Sequence, residues 1–370
     1  MNRNHAHTAP HSRSSVPRTV APEKTISRGK ATAILLVGVL FLSFTAIWVK
    51  ASNFEPATSA FLRVILGAVV LAPFTYWEVK KKGSLSREGI IFSIIAGLFL
   101  GVDFTAWNYS IFYVGAGVAS ILLNLQVIIV PMLIWAIDKY RVPKVFIILV
   151  PLMIIGIMLT GGVFDPPAET GPATIYGIKT AVLGTVLGCT SGVCYSFYLY
   201  FTRKAGRKRR DLYVQPIFYV CIAQILAPVI WAYTGSERNG FDFTHGVFVN
   251  GELPAVNPET TLGDPINTMN WVWMIMLIVL GQAAAWTFVQ IGSVNMDPTL
   301  CAGLLLLSPV TTVLVSPIIV GERISTLQII GVIIVLATVA YQNGVIQAVL
   351  VKLGLMKPSE AEVPEEVPQL

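Results

Sequence analysis

Residues 281–331 read GQAAAWTFVQIGSVNMDPTLCAGLLLLSPVTTVLVSPIIVGERISTLQIIG. An apolar segment ends at a short polar break, Asn295 to Pro298, and a second apolar run follows. A turn of Gly321, Glu322 and Arg323 separates that run from a third apolar segment. The pattern occurs once before. Asp103-Phe-Thr-Ala-Trp107 aligns with Gln282-Ala-Ala-Ala-Trp286, a polar residue four positions ahead of a tryptophan in each copy. A break, an apolar run and an arginine follow in both, Arg141 in the first and Arg323 in the second. Self-similarity on this scale marks a repeated structural unit, and the chain reads as two copies of it.

The solvent of that unit is lipid. Of 370 residues, 54% are hydrophobic and 12% charged, with a mean hydropathy of +0.69. Soluble domains carry about 25% charged residues. A spanning helix needs about 20 apolar residues. Ten segments qualify: 31–49, 57–77, 89–113, 116–137, 144–163, 177–202, 212–233, 271–293, 296–320 and 325–346. Several contain proline, which membrane helices tolerate where neighbours re-satisfy the freed backbone groups. The expected fold is therefore an all-α membrane protein of ten transmembrane helices, with a polar loop at 234–270. Residues 1–30 read as a disordered basic tail, 31–163 as the first repeat, 164–176 as a linker, 177–346 as the second repeat and 347–370 as a second tail.

Lys and Arg placement sets the orientation. With the amino terminus inside, 21 of these residues fall on the inner side and four (Lys50, Lys179, Arg238 and Arg323) on the outer. Only Arg63 lies within a span. Both termini are thus expected in the cytoplasm of a multi-pass protein of the cell (inner) membrane. The formal charge of +6 reflects this asymmetry, so the basic run at 203–210 is a topology anchor and no nucleic-acid partner is expected. Five spans per half is an odd number, so the second copy enters the membrane upside down. Inverted repeats are the architecture of many secondary transporters, with the substrate site near mid-membrane between the copies.

The motifs resemble those of the EamA family within the drug/metabolite transporter superfamily, over roughly residues 31–346. The resemblance is carried by the Leu62-Arg63 pair and by SFYLYFTRK at 196–204. It rests most on Leu307-Ser308-Pro309-Val310 followed by Gly321-Glu322-Arg323-Ile324 and Gly331. The first copy departs from the family pattern: Lys139 and Tyr140 stand where the family has Glu, and Gln126-Val127 replaces Pro-Val. The resemblance implies a secondary transporter working by alternating access, an exporter of an amino acid, metabolite or drug-like solute.

Asp103 is the leading site candidate. A carboxylate deep in a span costs about 2.5–3.5 kcal/mol on insertion scales, so it faces a cavity or a partner. At 1.5 Å per residue it lies about 15 Å from the outer end of its helix and Arg63 about 9 Å from the outer end of its own, within reach of an arginine side chain. Two readings stand side by side: a proton-coupling carboxylate tuned by Arg63, or an Asp103–Arg63 pair that joins two helices. Trp107 shares a face with Asp103, and Gln282 with Trp286. These four residues are expected to line one cavity from two sides. Tyr195 and Tyr198 are further candidates, as are Asn124 and Gln126, of which at most one points inward because they lie about 200° apart around a helix. Gly184, Gly188 and Gly192, like Gly97 and Gly101, have the spacing of tight helix packing. Glu322 and Arg323, on the outer side, read as a turn or a clamp at the end of the repeat, an exposed pair of little energetic weight.

No enzyme signature is present. There is no Gly-rich loop with Lys-Ser/Thr for nucleotide, no His/Glu pair has metalloprotease spacing, the cysteines have no metal-ligand spacing, and His5, His7 and His11 read as a solvated tail in preference to a weak metal site, so neither cofactor nor metal is expected. The partners are a small solute, protons and the lipid bilayer, with a second copy of the chain left open. Two alternatives remain. A sugar-phosphate or nucleotide-sugar carrier must bind phosphate, and Arg63 alone is a thin provision for that. A non-transporting scaffold or sensor would use the 234–270 loop as its binding element, whereas a transporter would tolerate trimming of that loop.

Overall fold

The computed structural model describes residues 27–139, 144–165, 172–206, 209, 211–234, 238–250, 252–254, 261–295 and 298–355. Most of both expected tails, with Tyr140 and Arg141, lies outside the described residues. The helices are α1 (Arg28–Ser52), α2 (Pro56–Lys82), α3 (Arg87–Val114), α4 (Ala116–Asp138) and α5 (Phe146–Thr160) in the first half. The second half holds α6 (Thr180–Gly206), α7 (Gln215–Thr234), α8 (Thr268–Gly292), α9 (Gly303–Val320), α10 (Thr326–Gln342) and α11 (Val345–Lys352). A short hairpin, β1 (Thr174–Ile175) with β2 (Ile178–Lys179), runs from the expected linker into the start of the second repeat.

Among the described residues, eight helices (α1–α4 and α6–α9) are long and apolar enough to cross a membrane, and α10 with α11 makes a ninth if that bent pair is one span. The expected fifth and tenth spans differ from the sequence reading for local reasons. The fifth covers only 15 residues because Gly161 caps it and Gly162 turns left-handed. The tenth stops at Gln342, where Gly344 takes φ 71° and the chain bends by 75° into α11.

Local chemistry sets the helix starts. Pro56 occupies the first turn of α2 while Glu55 accepts the Thr58 amide at 2.7 Å, a favoured start. Capping boxes open α8 (Asn267 with Asn270) and α10 (Ser325 with Gln328). Glycines set the closest approaches. Among the described residues, the α3–α6 contact is the most extensive between two helices. A methyl group at Gly188 would lie 2.5 Å from Leu122 and 2.9 Å from the Ser110 hydroxyl, and one at Gly97 would lie 2.4 Å from the Val220 carbonyl oxygen of α7. These glycines pack helices, as small residues do in membranes.

The connections gather at two ends. At one, hereafter the outer end, Lys50 meets Glu322, Asp165 meets Ser325 and Asn53 meets Phe248. At the inner end Lys82 meets Asp211, Lys204 meets Asp138 and Glu78 accepts the amides of Tyr213, Val214 and Gln215.

The described residues of the long outer connection pack onto the helices. Residues 241–249 run against the α1–α2 turn through a bridge between Phe54 and Gly246. Phe241 stacks on Phe61 at 4.2 Å, and Phe248 stacks on Phe112 at 5.0 Å. Val247 and Phe248 are buried in one apolar cluster with Trp48, Phe54, Trp107 and Ile111. These residues form a folded cap on the outer end.

Candidate functional site

The centre of the molecule holds two buried charges, each partnered from the other half of the chain. Arg63, on α2, is 2% exposed. Its Nε donates to Gln282 Oε1 at 2.8 Å, and its guanidinium lies 3.9 Å from the Phe104 ring centroid and 5.9 Å from that of Trp107. Asp103, on α3, is equally buried and accepts a hydrogen bond from the Ser191 hydroxyl of α6.

The expected Asp103–Arg63 contact pair is not formed. The cause is helical geometry. Neighbouring residues on a helix point about 100° apart. Arg63 lies over Phe104, which turns Asp103 away toward α6. Neutral partners, Gln282 and Ser191, take the place of the direct contact. Unpaired charges in a low-dielectric interior are costly. The hydrogen bond that Arg63 donates to Gln282, the one that Asp103 accepts from Ser191, and the aromatic face under Arg63 offset part of that cost.

Gln282 reaches Arg63 because its helix is locally widened. Residues Leu277–Ala284 form a π-helical stretch, a deviation that recurs at functional sites. Gly67 makes room on the facing helix: a methyl group there would lie 2.7 Å from Gln282 Cγ. The Gln282 amide also donates to Cys221 Sγ at 3.4 Å.

Toward the inner end, three aromatic rings meet. Tyr195 stacks on Tyr198 at 5.5 Å, and Trp286 meets both edge-on at 6.1 and 5.8 Å. Among the described residues, neither the Trp286 Nε1 nor the Arg63 Nη1 has a hydrogen-bond partner. These are donors left available inside the protein.

The remaining sequence candidates separate. Trp107 donates its Nε1 to the Ala119 carbonyl at 3.3 Å and packs in the outer apolar cluster. Asn124 folds its amide back onto Ser120 and Ile121 of its own helix, where a short 3₁₀ turn, Leu123–Leu125, breaks α4. Gln126, just past that turn, is half-buried. Four residues escaped the sequence reading: Ser191, Phe104, Cys221 and Gln224. Ser191 and Phe104 are unremarkable inside membrane helices and gave no signal. Gln224 did give one, as an amide within an apolar span. It is fully buried, and both its side-chain oxygen and nitrogen lack partners among the described residues.

A family model described as the EamA-like transporter family matches residues 29–162 and 254–343. The matched segments hold Arg63, Asp103 and Gln282, and the stretch between them holds Ser191, Tyr195 and Tyr198. A search of curated proteins gives no match. A solved structure titled "Crystal structure of protein" is 16% identical, with a TM-score of 0.49, over 85% of this chain and 97% of that chain.

Proposed function

Because this chain belongs to the EamA-like transporter family, we propose that it is a secondary transporter that exports a small metabolite, amino acid or drug-like solute across the inner membrane by alternating access. One observation carries this reading: both central charges find their partners across the boundary between the halves, Arg63 at Gln282 and Asp103 at Ser191. In transporters built from inverted repeats, substrate and coupling ions bind at that boundary. The reading takes the chain as ten spans in two inverted sets of five, with α5 and α10 as short members. It takes the Lys82 end as cytoplasmic, in keeping with its basic loops.

Asp103 is the proton-coupling group in this scheme. Arg63 and the amides of Gln282 and Gln224 orient the solute, and Tyr195, Tyr198 and Trp286 supply an aromatic wall. Such a lining suits amphipathic or aromatic solutes better than phosphates. The outer half around Trp107 is tightly packed, while Gln126, Cys194, Tyr195 and Trp286 on the inner side are only half-buried. This difference supports a state closed to the outside.

The test compares metabolites in spent medium from cells lacking the protein, overproducing it, or overproducing Asp103→Asn at matched membrane levels. A compound class that rises with the wild type and not with the variant supports both export and the role of Asp103. No difference among the three samples would count against export.

A further inference from the structure

Glu322 sits where the two halves meet at the outer end. Its carboxylate accepts Lys50 Nζ at 2.7 Å, the Ala116 amide at 2.5 Å and the Gly117 amide at 3.2 Å. Lys50 lies in the last turn of α1, Ala116 begins α4, and Glu322 lies in the α9–α10 turn of the other half. The sequence suggests an exposed turn or repeat-end clamp here; the Glu322 side chain is only 7% exposed. The turn is shaped to receive it. Gly115 adopts φ 95°, a conformation that favours glycine, and a methyl group there would stand 3.0 Å from the carboxylate. Just beneath, Gly117 lies against Ser316 and Val313 of α9, closing α4 on α9. Lys50 also reaches the cap, with its ammonium 5.7 Å from the Phe248 ring.

Glu78 provides an internal comparison. It too is a buried carboxylate that accepts amides at a helix start across the two halves, here at the inner end, with Lys82 at 3.8 Å. The chemistry is the same and only the position differs. A charged hydrogen bond to a helix N-terminus is among the stronger polar contacts, so each site is a discrete join.

We infer that Glu322 is the latch of the outer gate: bound to Lys50 and the start of α4 it holds the halves together, and its release opens a path from outside to Trp107 and Arg63. The inference rests on the transporter reading for its purpose, but its test does not require transport. The path runs past Ala119, which is fully buried and whose carbonyl holds Trp107.

The experiment uses the full chain with Cys189, Cys194, Cys221 and Cys301 replaced by serine and a single reporter, Ala119→Cys. Labelling by a membrane-impermeant thiol reagent is followed in right-side-out and inside-out vesicles without added solute. The parent should label slowly in right-side-out vesicles. Glu322→Gln and Lys50→Met should each label at least ten-fold faster there, and Glu78→Gln should stay at the parental rate. Lys50→Met keeps the test open if Glu322→Gln does not accumulate. Unchanged labelling in a folded Glu322→Gln or Lys50→Met protein overturns the latch, and so does an equal rise in Glu78→Gln, which would mean general loosening. Faster labelling without any export activity would keep the latch and count against the transporter reading. Export that continues with labelling unchanged would do the reverse.

Discussion

Arg63 and Gln282 meet at 2.8 Å in the middle of the molecule and tie α2 to α8. The contact depends on Gly67, which leaves room for the Gln282 side chain, and on the π-helical widening of α8. Gln282→Ala leaves the Arg63 Nε without its acceptor in a buried site, which costs about 1.5–3 kcal/mol for a charged hydrogen bond. Its thermal unfolding in detergent should move down. Gln282→Glu should instead create an ion pair at this site and raise the unfolding temperature while slowing transport, because the halves would be joined more tightly. Equal unfolding temperatures for all three proteins would show that the contact carries no weight.

Gly67→Ala tests the same contact without touching either partner. The added methyl group must displace Gln282, because no side chain tolerates a 2.7 Å approach. Overpacking of this kind costs about 1–3 kcal/mol. The variant should therefore resemble Gln282→Ala in unfolding temperature, and the double variant should add little beyond either one. Additive losses would mean that Gly67 acts elsewhere.

Asp103→Asn keeps a hydrogen-bond acceptor for Ser191 and removes the charge. In vesicles loaded with the exported solute, the wild type should respond to an imposed proton gradient and lose that response with a protonophore. The variant should carry solute, if at all, at a rate indifferent to the gradient. Gradient-dependent transport by Asp103→Asn would remove the carboxylate from coupling and leave it the structural role of anchoring α3 to α6.

The family and the membrane location were legible because both are written in patterns the backbone cannot evade: apolar runs of spanning length, a charge asymmetry, and motifs in a fixed order. Asp103, Arg63 and Gln282 were legible because polar groups in lipid are costly and so stand out. Their pairing was not legible. Whether Arg63 turns to Asp103 or Gln282 depends on a 100° step between Asp103 and Phe104 and on a π-turn in α8, and neither is encoded by residue type. Ser191 was invisible because a serine in a membrane helix is usually satisfied by its own backbone. The cap was misread for a different reason. Polar composition at 234–270 hid the few apolar residues, Phe241, Val247 and Phe248, that dock it.

The Gly97 contact gives a sharper test of helix packing than any polar site. Gly97→Val would drive a side chain into the Val220 carbonyl at 2.4 Å, where only backbone movement can relieve it. Folded yield after detergent extraction should fall several-fold. Gly29→Ala, which meets nothing within 4 Å, should extract like the wild type. Similar yields for both would mean that α3 and α7 are not held at this distance.

Asp242 anchors the cap, and its chemistry makes that anchor sensitive to acid. Its carboxylate accepts the amides of Thr244 at 2.9 Å and His245 at 3.0 Å and pairs with Arg238 at 3.1 Å. Arg238 in turn donates to the carbonyls of Gly246 and Thr261, holding the two arms of the cap together. Burial pushes the Asp242 carboxyl up, but these hydrogen bonds and the Arg238 charge outweigh it and leave it below the ordinary carboxylate range. A group lowered on folding contributes stability above its unfolded value, and that contribution disappears as pH falls through the folded one. The cap should thus stay docked from neutral pH down to about 4, the ordinary range of an aspartate, and loosen only below it. Asp242→Asn should be loose already at pH 7, by roughly 1–3 kcal/mol for lost charged hydrogen bonds, and should show no further step in acid. Limited proteolysis of the cap, with a neutral protease at pH 7 and an acid protease at pH 3, reads this directly. Equal protection of wild type and Asp242→Asn at pH 7 would mean that docking rests on Phe241, Val247 and Phe248 alone.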